Sequence, residues 1–199
     1  MNRRSVSTTP QRPPGSVRII GGRWKRSPIV VADVPGLRPT ADRVRETLFN
    51  WLAHLRPDAH ALRVLDLFAG TGALGFELAS RGAAHVTLVE QSALLVTRLR
   101  ALQERLAATQ VEILAGDALA IAARLPAASF DVIFLDPPFD SGLVPRALAA
   151  SRRLLAPGGL VYAESSARAG REVLADWDTV RELRAGQVHV CLLQARIAE

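Results

Sequence analysis

Four consecutive residues that follow an apolar run could together bind an amine. The run is 130–135, apolar apart from Asp131, and Asp136-Pro137-Pro138-Phe139 comes directly after it. Proline fixes φ and has no N–H group, so this segment is stiff and its carbonyl oxygens stay available as acceptors. Asp136 adds a carboxylate, and Phe139 adds an aromatic face for stacking. These residues suit a flat ring that carries an exocyclic NH₂ group, and a proline-rich exit from a strand is the purely structural alternative.

The chemistry that such a site would support is nucleophilic attack by the amine. An exocyclic amine is a poor nucleophile because its lone pair is delocalised into the ring. Acceptors that hold both of its hydrogens favour a tetrahedral nitrogen and direct the lone pair at an activated methyl group. The proton is lost during or after the transfer. The sequence leaves open whether Asp136 takes this proton or only positions the base.

A glycine-rich turn upstream predicts a nucleoside-containing cofactor. Residues 70–75, Gly-Thr-Gly-Ala-Leu-Gly, match G-x-G-x-x-G between a predicted strand and a predicted helix. A dinucleotide-binding fold places a pyrophosphate on the same turn. Asp66, however, ends the preceding strand, where its carboxylate would repel a pyrophosphate and suits the ammonium group of an amino-acid-bearing cofactor. This favours S-adenosylmethionine, and an NAD(P)-dependent oxidoreductase is the alternative from another enzyme class.

Three more acids follow strands of the same predicted sheet. Glu90 ends the next strand, 20 residues after Gly70, a placement that suits ribose hydroxyls in either cofactor. Asp117 follows the third strand and could accept a hydrogen bond from an adenine amino group, cap the next helix, or do both. Asp136 ends the fourth strand. Open α/β sheets bind ligands at this edge, and a dehydrogenase has no use for Asp-Pro-Pro-Phe there, so we expect methyl transfer.

Alternating apolar runs and helical patterns predict the elements that position these residues. Strands are expected at 62–67, 85–90, 110–116, 130–136 and 159–164, and helices at 73–81, 92–107, 118–125 and 143–155. This alternation is typical of an α/β fold, Rossmann-like, with a doubly wound and mostly parallel sheet. Pro157-Gly158-Gly159 is expected to end the last long helix and begin a strand. Residues 179–197 read as two strands around Ala185-Gly186, an antiparallel hairpin that closes the sheet edge.

The beginning of the chain differs in character from the rest. Residues 1–16 are basic and lack acids, and we expect a disordered tail. Residues 17–56 are expected to form an arm of short strands and one helix, because so few residues cannot hold a core of their own. Thr40 can cap that helix, and residues 57–199 are expected to form the catalytic domain. One face of that helix is apolar and carries Val44, Leu48, Trp51, Leu52 and Leu55.

Positive charge is concentrated in the same region. The net charge is +6, but residues 1–56 hold 11 Arg or Lys against 3 Asp or Glu, and residues 57–199 hold 14 against 16. A basic N-terminal region followed by a mildly acidic remainder of the chain is typical of a protein that binds a polyanion. A solvated basic face explains the charge equally well. A nucleic-acid-binding module without catalysis is a third function class, and only this basic region favours it.

Cysteine and histidine usage limits redox and metal chemistry. Cys191 is the only cysteine, so no intramolecular disulfide can form, and we expect a reducing compartment, the cytoplasm. No apolar run approaches the ~20 residues that a membrane span needs. The four histidines show no spacing that suggests a metal site, so none is predicted; they are His54, His60, His85 and His189.

Two motifs together resemble the amino-directed methyltransferases that use S-adenosylmethionine. They are residues 66–72 (DLFAGTG) and 136–139 (DPPF), a pair shared by DNA adenine, RNA adenine and RNA guanine-N2 enzymes. Residues 18–26 (RIIGGRWKR) and 36–52 (GLRPTADRVRETLFNWL) resemble the N-terminal signature of the RsmD-type family, and 185–188 (AGQV) fits it. Those are bacterial enzymes that methylate N2 of a guanine in small-subunit (16S) ribosomal RNA. The resemblance covers about residues 17–196.

The resemblance implies roles by position. It implies cofactor contacts from Asp66, Phe68, Ala69, Gly70, Thr71, Gly72, Glu90, Asp117 and Ala118, and a catalytic loop of Asp136, Pro137, Pro138 and Phe139. It implies RNA contacts from Arg18, Arg23, Lys25, Arg26, Arg38 and Arg43. Arg45 and Thr47 belong to the same signature, either near the pocket mouth and the RNA or as structural residues.

The resemblance also implies partners. The expected partner is 16S ribosomal RNA within the small ribosomal subunit. A monomer is expected on separate grounds, because the sequence shows no large exposed apolar stripe. Trp24 either stacks on a base or packs in its hairpin. Adenine-N6 methylation of DNA or RNA is the alternative within the same chemistry.

Overall fold

The computed structural model describes residues 15–31, 42–138, 141–166 and 174–196. The strands are β1 (Ser16–Arg18), β2 (Pro28–Val30), β3 (Arg63–Asp66), β4 (His85–Glu90), β5 (Val111–Ala115), β6 (Phe130–Leu135), β7 (Leu155–Ser166), β8 (Trp177–Ala185) and β9 (Val188–Ala195). The helices are α1 (Asp42–Leu55), α2 (Ala73–Ser80), α3 (Ala93–Leu106), α4 (Ala118–Ala122) and α5 (Val144–Leu154), with a 3₁₀ turn at Ala59–Ala61. None of the helices in these ranges has both the length and the apolarity to cross a membrane.

Seven strands form one mostly parallel sheet. Their order is β5-β4-β3-β6-β7-β9-β8. The strands from β5 to β7 in this order pair in parallel, whereas β9 pairs antiparallel with both β7 and β8. After β3, the chain adds β4 and then β5 on one side of β3. It then crosses to the other side of β3, where it adds β6 and then β7. The prediction of a doubly wound sheet closed by a C-terminal hairpin is confirmed.

Alternation along the buried strands divides the core into two layers. Successive strand residues point to opposite faces, so Val132 and Phe134 of β6 enter one layer while Ile133 and Leu135 enter the other. The first layer contains buried residues of α1, α2, α3 and the N-terminal hairpin. The second contains those of α4 and α5. Helices thus cover both faces of the sheet, as a parallel sheet requires.

The Pro-Gly-Gly segment lies inside a strand and not before one. We predicted a strand start near Gly159, but β7 begins at Leu155, directly after α5. The pairing of β6 with β7 shifts register here, from Phe130 opposite Leu155 to Val132 opposite Leu160. Gly158 absorbs the irregularity with a φ of 72°, a conformation that glycine adopts without steric cost. The Pro-Gly-Gly segment therefore marks a β-bulge within β7.

The N-terminal hairpin is fastened to α2 through polar contacts. β1 and β2 pair antiparallel. The buried carboxylate of Glu77 accepts hydrogen bonds from the Ile20 N–H at 2.6 Å and the Gly21 N–H at 2.8 Å. Ser80 Oγ accepts from the Trp24 N–H at 2.9 Å and donates to the Gly21 carbonyl at 2.6 Å. The hairpin and the body share one apolar layer, and the domain boundary at residue 56 stays a prediction.

Candidate active site

The predicted site residues meet at one edge of the sheet. Asp66, at the end of β3, lies opposite Phe134 of β6 in the parallel register. Glu90, at the end of β4, lies opposite Ala115 of β5. Asp117 and Asp136 follow β5 and β6 directly. Since all four strands are parallel neighbours, their carboxyl ends bring four carboxylates to the same rim, where α/β sheets bind ligands.

Glycine geometry shapes the turn between β3 and α2. Gly70 and Gly72 have φ values of 52° and 79°. A Cβ atom on Gly72 would lie 2.7 Å from Leu99 Cδ2 and 2.7 Å from Phe76 Cδ2. A Cβ atom on Gly75 would collide with Leu88 Cδ2. The turn therefore depends on glycine both for its backbone conformation and for close packing of α2 against α3 and β4.

Asp66 is a buried carboxylate with one oxygen still to be satisfied. Its side chain is 1 % exposed, and Oδ2 accepts a hydrogen bond from the Gly75 N–H at 3.1 Å. Oδ1 is buried and, within the described part of the chain, has no partner that meets hydrogen-bond geometry, although the nearby Phe68 N–H favours the ionised carboxylate and so lowers its pKa. Burial raises the pKa of Asp66 to about 7, and the negative charge of Glu90 adds to this shift. A cationic ligand group at Oδ1 would offset the cost of ionising it.

Glu90 and Asp117 hold backbone N–H groups on either side of the rim. Glu90 accepts from the Gly70 N–H at 2.9 Å and from the Ser92 N–H at 2.8 Å, so it ties the glycine turn to the start of α3. Each of its oxygens keeps a further lone pair for a ligand. Asp117 caps α4 by accepting from the Ala120 N–H at 2.8 Å. Its capping role is observed, and its adenine contact stays a prediction, as does that of the buried Ala118.

The proline loop leaves the sheet beside these residues. Asp136 is half-buried, Pro137 is buried and Pro138 is exposed. The Ser141 N–H donates to the Pro138 carbonyl at 3.2 Å. Phe139, predicted to stack on the substrate, lies outside the described residues. The structure therefore places Asp136 at the same rim as Asp66, Glu90 and Asp117, and stacking by the aromatic part of the motif stays a prediction.

Two residues beside the loop were not predicted from the sequence. The buried Tyr162, on β7, donates its hydroxyl to Glu164 Oε2 at 3.0 Å. Burial raises the pKa of Tyr162, and the negative charges of Glu164 and Asp136 raise it further. Tyr162 also packs edge-on against Phe134, with ring centroids 5.9 Å apart. The available signal was the run GLVYAE (159–164), which ends on an acid as the other strands do.

Most of the predicted RNA contacts lie on the surface. Arg18, Arg23, Lys25, Arg26 and Arg43 are exposed. Arg38 and Thr40 lie outside the described residues. The loop that carries residues 21–26 packs on the C-terminal end of α2, whereas the glycine turn begins its N-terminal end. With 8 residues in α2, that separation is about 12 Å along the helix.

Two residues of the N-terminal signature are structural. Trp24 is 7 % exposed and packs in the core, so its ring does not stack on RNA. Arg45 is fully buried and donates to the Arg18 carbonyl at 3.0 Å and to Asp42 Oδ1 at 2.6 Å. Arg45 thus joins α1 to β1. Its burial removes it from the candidate RNA surface.

A cross-strand cluster on the C-terminal hairpin was also not predicted. Glu182 on β8 and His189 and Cys191 on β9 place their donor atoms within 4.8 Å of one another. His189 Nε2 lies 3.4 Å from Glu182 Oε2, and Cys191 Sγ lies 3.7 Å from His189 Nδ1. Burial raises the pKa of Cys191 to about 11, so the thiol keeps its proton at neutral pH. The cluster is explained by polar contacts across the strands, and the absence of a metal stays a prediction.

Comparison with known proteins gives consistent matches over nearly the whole chain. The family model described as "Conserved hypothetical protein 95" matches residues 17–194. The chain is 42% identical over 183 residues to ribosomal RNA small subunit methyltransferase D of Escherichia coli, which covers 90% of each chain. The protein of the same name from Haemophilus influenzae is 37% identical over 185 residues, with 90% of this chain and 94% of the relative covered.

A solved structure matches equally well. It is yhhF, a methyltransferase candidate from Escherichia coli, which superposes with a TM-score of 0.80 at 37% identity. The match covers 92% of this chain and 99% of that one. Sequence and fold therefore point to the same group of proteins.

Proposed function

We propose, from the premise that this chain belongs to the RsmD-type family of ribosomal RNA small subunit methyltransferases, that it methylates N2 of a guanine in 16S ribosomal RNA. The methyl donor is S-adenosylmethionine. One observation carries the proposal: the half-buried Asp136, in its proline loop, shares a sheet edge with the glycine turn and with Asp66 and Glu90. An amine acceptor site and a nucleoside cofactor site thus adjoin each other.

The rim residues fit S-adenosylmethionine group by group. When bound, this cofactor supplies a methyl group on a positively charged sulfur. The unpaired, buried Oδ1 of Asp66 suits the ammonium group. The remaining lone pairs of Glu90 suit ribose hydroxyls, and Asp117 with Ala118 borders the place of the adenine. The glycine turn of residues 70–72 offers bare main chain, and Phe68 and Ala69 lead into it.

Catalysis by this chain is chiefly a matter of positioning. The Asp136 carboxylate and a carbonyl oxygen of the proline loop accept hydrogen bonds from the two N–H groups of the guanine amine. Phe139 stacks on the guanine ring. This chain's residues would direct the nitrogen lone pair at the methyl group in line with its C–S bond. The N–C bond would form as the C–S bond broke, the sulfur would leave as a neutral thioether, and the proton lost from N2 would pass to Asp136 or to water. Orientation and exclusion of water lower the barrier without a metal ion.

The expected partner is the small ribosomal subunit, bound by a monomer of this protein in the cytoplasm, where that subunit is assembled. Exposed arginines of the hairpin, with Lys25, supply charge for phosphates. The division into a tail (1–16), an RNA-binding arm (17–56) and a catalytic domain (57–199) belongs to the same proposal. The firm contacts of Glu77 and Ser80 with the hairpin support an arm held rigidly on the body.

The decisive experiment uses radiolabelled S-adenosylmethionine with small subunits from a strain that lacks the activity. Deproteinised RNA and DNA are run in parallel, and the labelled nucleoside is identified after digestion. We expect N2-methylguanosine from the subunit. N6-methyladenine from any substrate would retain the fold and the catalytic loop but replace the substrate. Binding of NAD(P) in place of S-adenosylmethionine would contradict the proposal.

A further inference from the structure

A groove lies between the N-terminal hairpin and α3, outside the carboxylate rim. Its volume is about 510 Å³, within the range of ligand-binding clefts. Its floor is apolar and includes Ile29, Leu95, Leu99 and Leu102. Val30 of β2 is one of its walls and is 54 % exposed. The floor side chains are buried, at 1 % to 7 % exposed, so Val30 is the aliphatic side chain that the groove presents to solvent beside the basic hairpin.

The rim of the groove is positively charged. Arg98 and Arg105 of α3 both line it and are exposed. Arg105 donates to the Pro28 carbonyl at 2.5 Å, which holds its guanidinium against β2. Within the described ranges, no carboxylate lies in salt-bridge range of Arg98, and none of the lining residues is acidic. Apolar floor and cationic rim together suit a ligand with flat apolar groups and negative charges.

The course of the groove links two parts of the proposed machinery. Its lower end, at Pro28 and Arg105, follows the basic loop of residues 21–26, which packs on the C-terminal end of α2. Its upper end is lined by Gly70 and Thr71 of the cofactor turn. The groove therefore offers a path from the basic loop to the glycine turn for a bound polymer.

We propose that the groove binds single-stranded ribosomal RNA next to the target guanine. This inference rests on the proposed function and adds a binding surface to it. An unstacked base enters the groove and packs against the exposed Val30, while Arg98 and Arg105 contact the flanking phosphates. RNA is favoured over a peptide because the rim is uniformly cationic and continues into the basic loop.

Three variants of the full-length protein test the groove. Arg98→Ala removes a rim charge, and Ala101→Trp fills the groove without a change in charge, since Ala101 lines it and is exposed. Arg100→Ala is the matched control, because Arg100 is exposed on the same helix but does not line the groove. We measure KM and kcat for small subunits, the Kd for S-adenosylmethionine, and the affinity for a fluorescent single-stranded RNA oligonucleotide.

Ala101→Trp is expected to raise the KM for subunits and the Kd for the oligonucleotide by roughly tenfold, the loss of about one stacked base. Arg98→Ala is expected to raise the same two quantities because a phosphate contact is lost. The kcat and cofactor Kd of both variants stay at wild-type values, which also shows that they fold. Arg100→Ala leaves all four quantities unchanged. Equal effects of Arg98→Ala and Arg100→Ala, or an unchanged KM in Ala101→Trp, would overturn the groove proposal.

Failure of the proposed function gives a different pattern. If the wild-type protein transfers no methyl group but binds the oligonucleotide, and Ala101→Trp weakens that binding, the groove stands and the activity does not. If the wild-type protein methylates the subunit and the groove variants match it, the activity stands and the groove does not.

Discussion

At the scale of single residues, two carboxylates at strand ends have different surroundings and are therefore suited to different tasks. Asp66 is buried, accepts from the Gly75 N–H, and has a pKa raised to about 7. Asp136 is half-buried at the edge of the proline loop, near Tyr162. The first is suited to hold a fixed positive charge, and the second to face a substrate that enters and leaves.

Substitution of Asp136 should separate catalysis from cofactor binding. We expect Asp136→Ala to lower kcat by roughly 10²- to 10⁴-fold, the usual contribution of a positioned acid–base group, with little change in the Kd for S-adenosylmethionine. Isothermal titration calorimetry and methyl-transfer assays measure the two quantities. Asp131→Asn, at the other end of the same strand, is the control, because Asp131 accepts from the Arg63 N–H away from the rim. A large loss of cofactor affinity in Asp136→Ala would contradict the assigned role.

The raised pKa of Asp66 predicts pH-dependent cofactor binding. An ammonium group binds the ionised carboxylate, so the Kd for S-adenosylmethionine should rise about tenfold for each pH unit below about 7 and level off above it. Asp66→Asn should bind weakly and lose this dependence, whereas Asp117→Asn should keep it. A wild-type Kd that is constant between pH 5.5 and 8 would exclude Asp66 as the ammonium partner.

The same shift affects the stability of the free protein. The folded-state pKa of about 7 lies above the ordinary value of 3.8, which applies to the unfolded state, so the unfolded state ionises first as the pH rises. As the pH rises from about 4 to 7, the contribution of Asp66 to the free energy of unfolding therefore decreases by about 4 kcal/mol. Above pH 7 both states are ionised and the contribution is constant.

At the scale of elements, α2 connects the two ends of the candidate machinery. Its N-terminus follows the glycine turn, and its last turns hold the basic hairpin through Glu77 and Ser80. Arg81, just after the helix, pairs with Glu77 at 2.8 Å and lies 5.1 Å from the centre of the Phe49 ring. One short helix thus joins the cofactor turn, the hairpin and α1.

Loss of the Glu77 charge should loosen the hairpin. Glu77→Gln replaces charge-assisted bonds to the Ile20 and Gly21 N–H groups by weaker ones, and it leaves Arg81 without its ion-pair partner. We expect the free energy of unfolding to fall by about 2 to 3 kcal/mol, measured by urea denaturation. Glu104→Gln, an exposed acid on α3, should change it by less than about 0.5 kcal/mol. An equal, small effect of both variants would mean that apolar packing alone holds the hairpin.

The parallel sheet was predictable at this scale because βα alternation and strand-ending acids are local patterns. The acids at positions 66, 90, 117 and 136 lie at one edge of the sheet because each follows or ends a strand and these strands are parallel. Contacts between distant segments were not predictable. Glu77 lies in an apolar helix and meets backbone groups 56 and 57 residues away, and no periodicity in the sequence indicates such a partner. The Pro-Gly-Gly bulge was mistaken for a strand start because the same residues serve both purposes.

At the scale of the whole molecule, positive charge and the carboxylate rim occupy different places. The charge asymmetry was readable from the sequence, but its location relative to the cofactor turn was not, since this depends on how the hairpin packs on α2. The groove beside α3 was equally hidden, because its walls come from residues 28–30, 70–71 and 95–105. Both features arise only from tertiary packing.

The basic loop should determine the salt dependence of RNA binding. We expect the triple variant Arg23→Ala, Lys25→Ala, Arg26→Ala to weaken binding and to reduce the slope of log K against log[salt] by about 2, because each phosphate that the protein neutralises adds roughly 0.7 to that slope. Filter binding at several salt concentrations measures the slope. The control removes the same charge elsewhere, with alanine at Arg124, Arg146 and Arg184, which are exposed outside the hairpin. An equal change of slope in both triple variants would show that net charge alone matters.

The burial of the single cysteine makes it practical to follow RNA binding and methyl transfer with a fluorescent label. Cys191 is 4 % exposed and its pKa is about 11, so at pH 7 only about one molecule in 10⁴ carries the thiolate that reacts with maleimides. The native protein should therefore remain almost unlabelled under mild conditions, without removal of its own thiol. A fluorophore attached through Ala101→Cys would then report from the groove alone, and RNA arrival could be timed separately from methyl transfer.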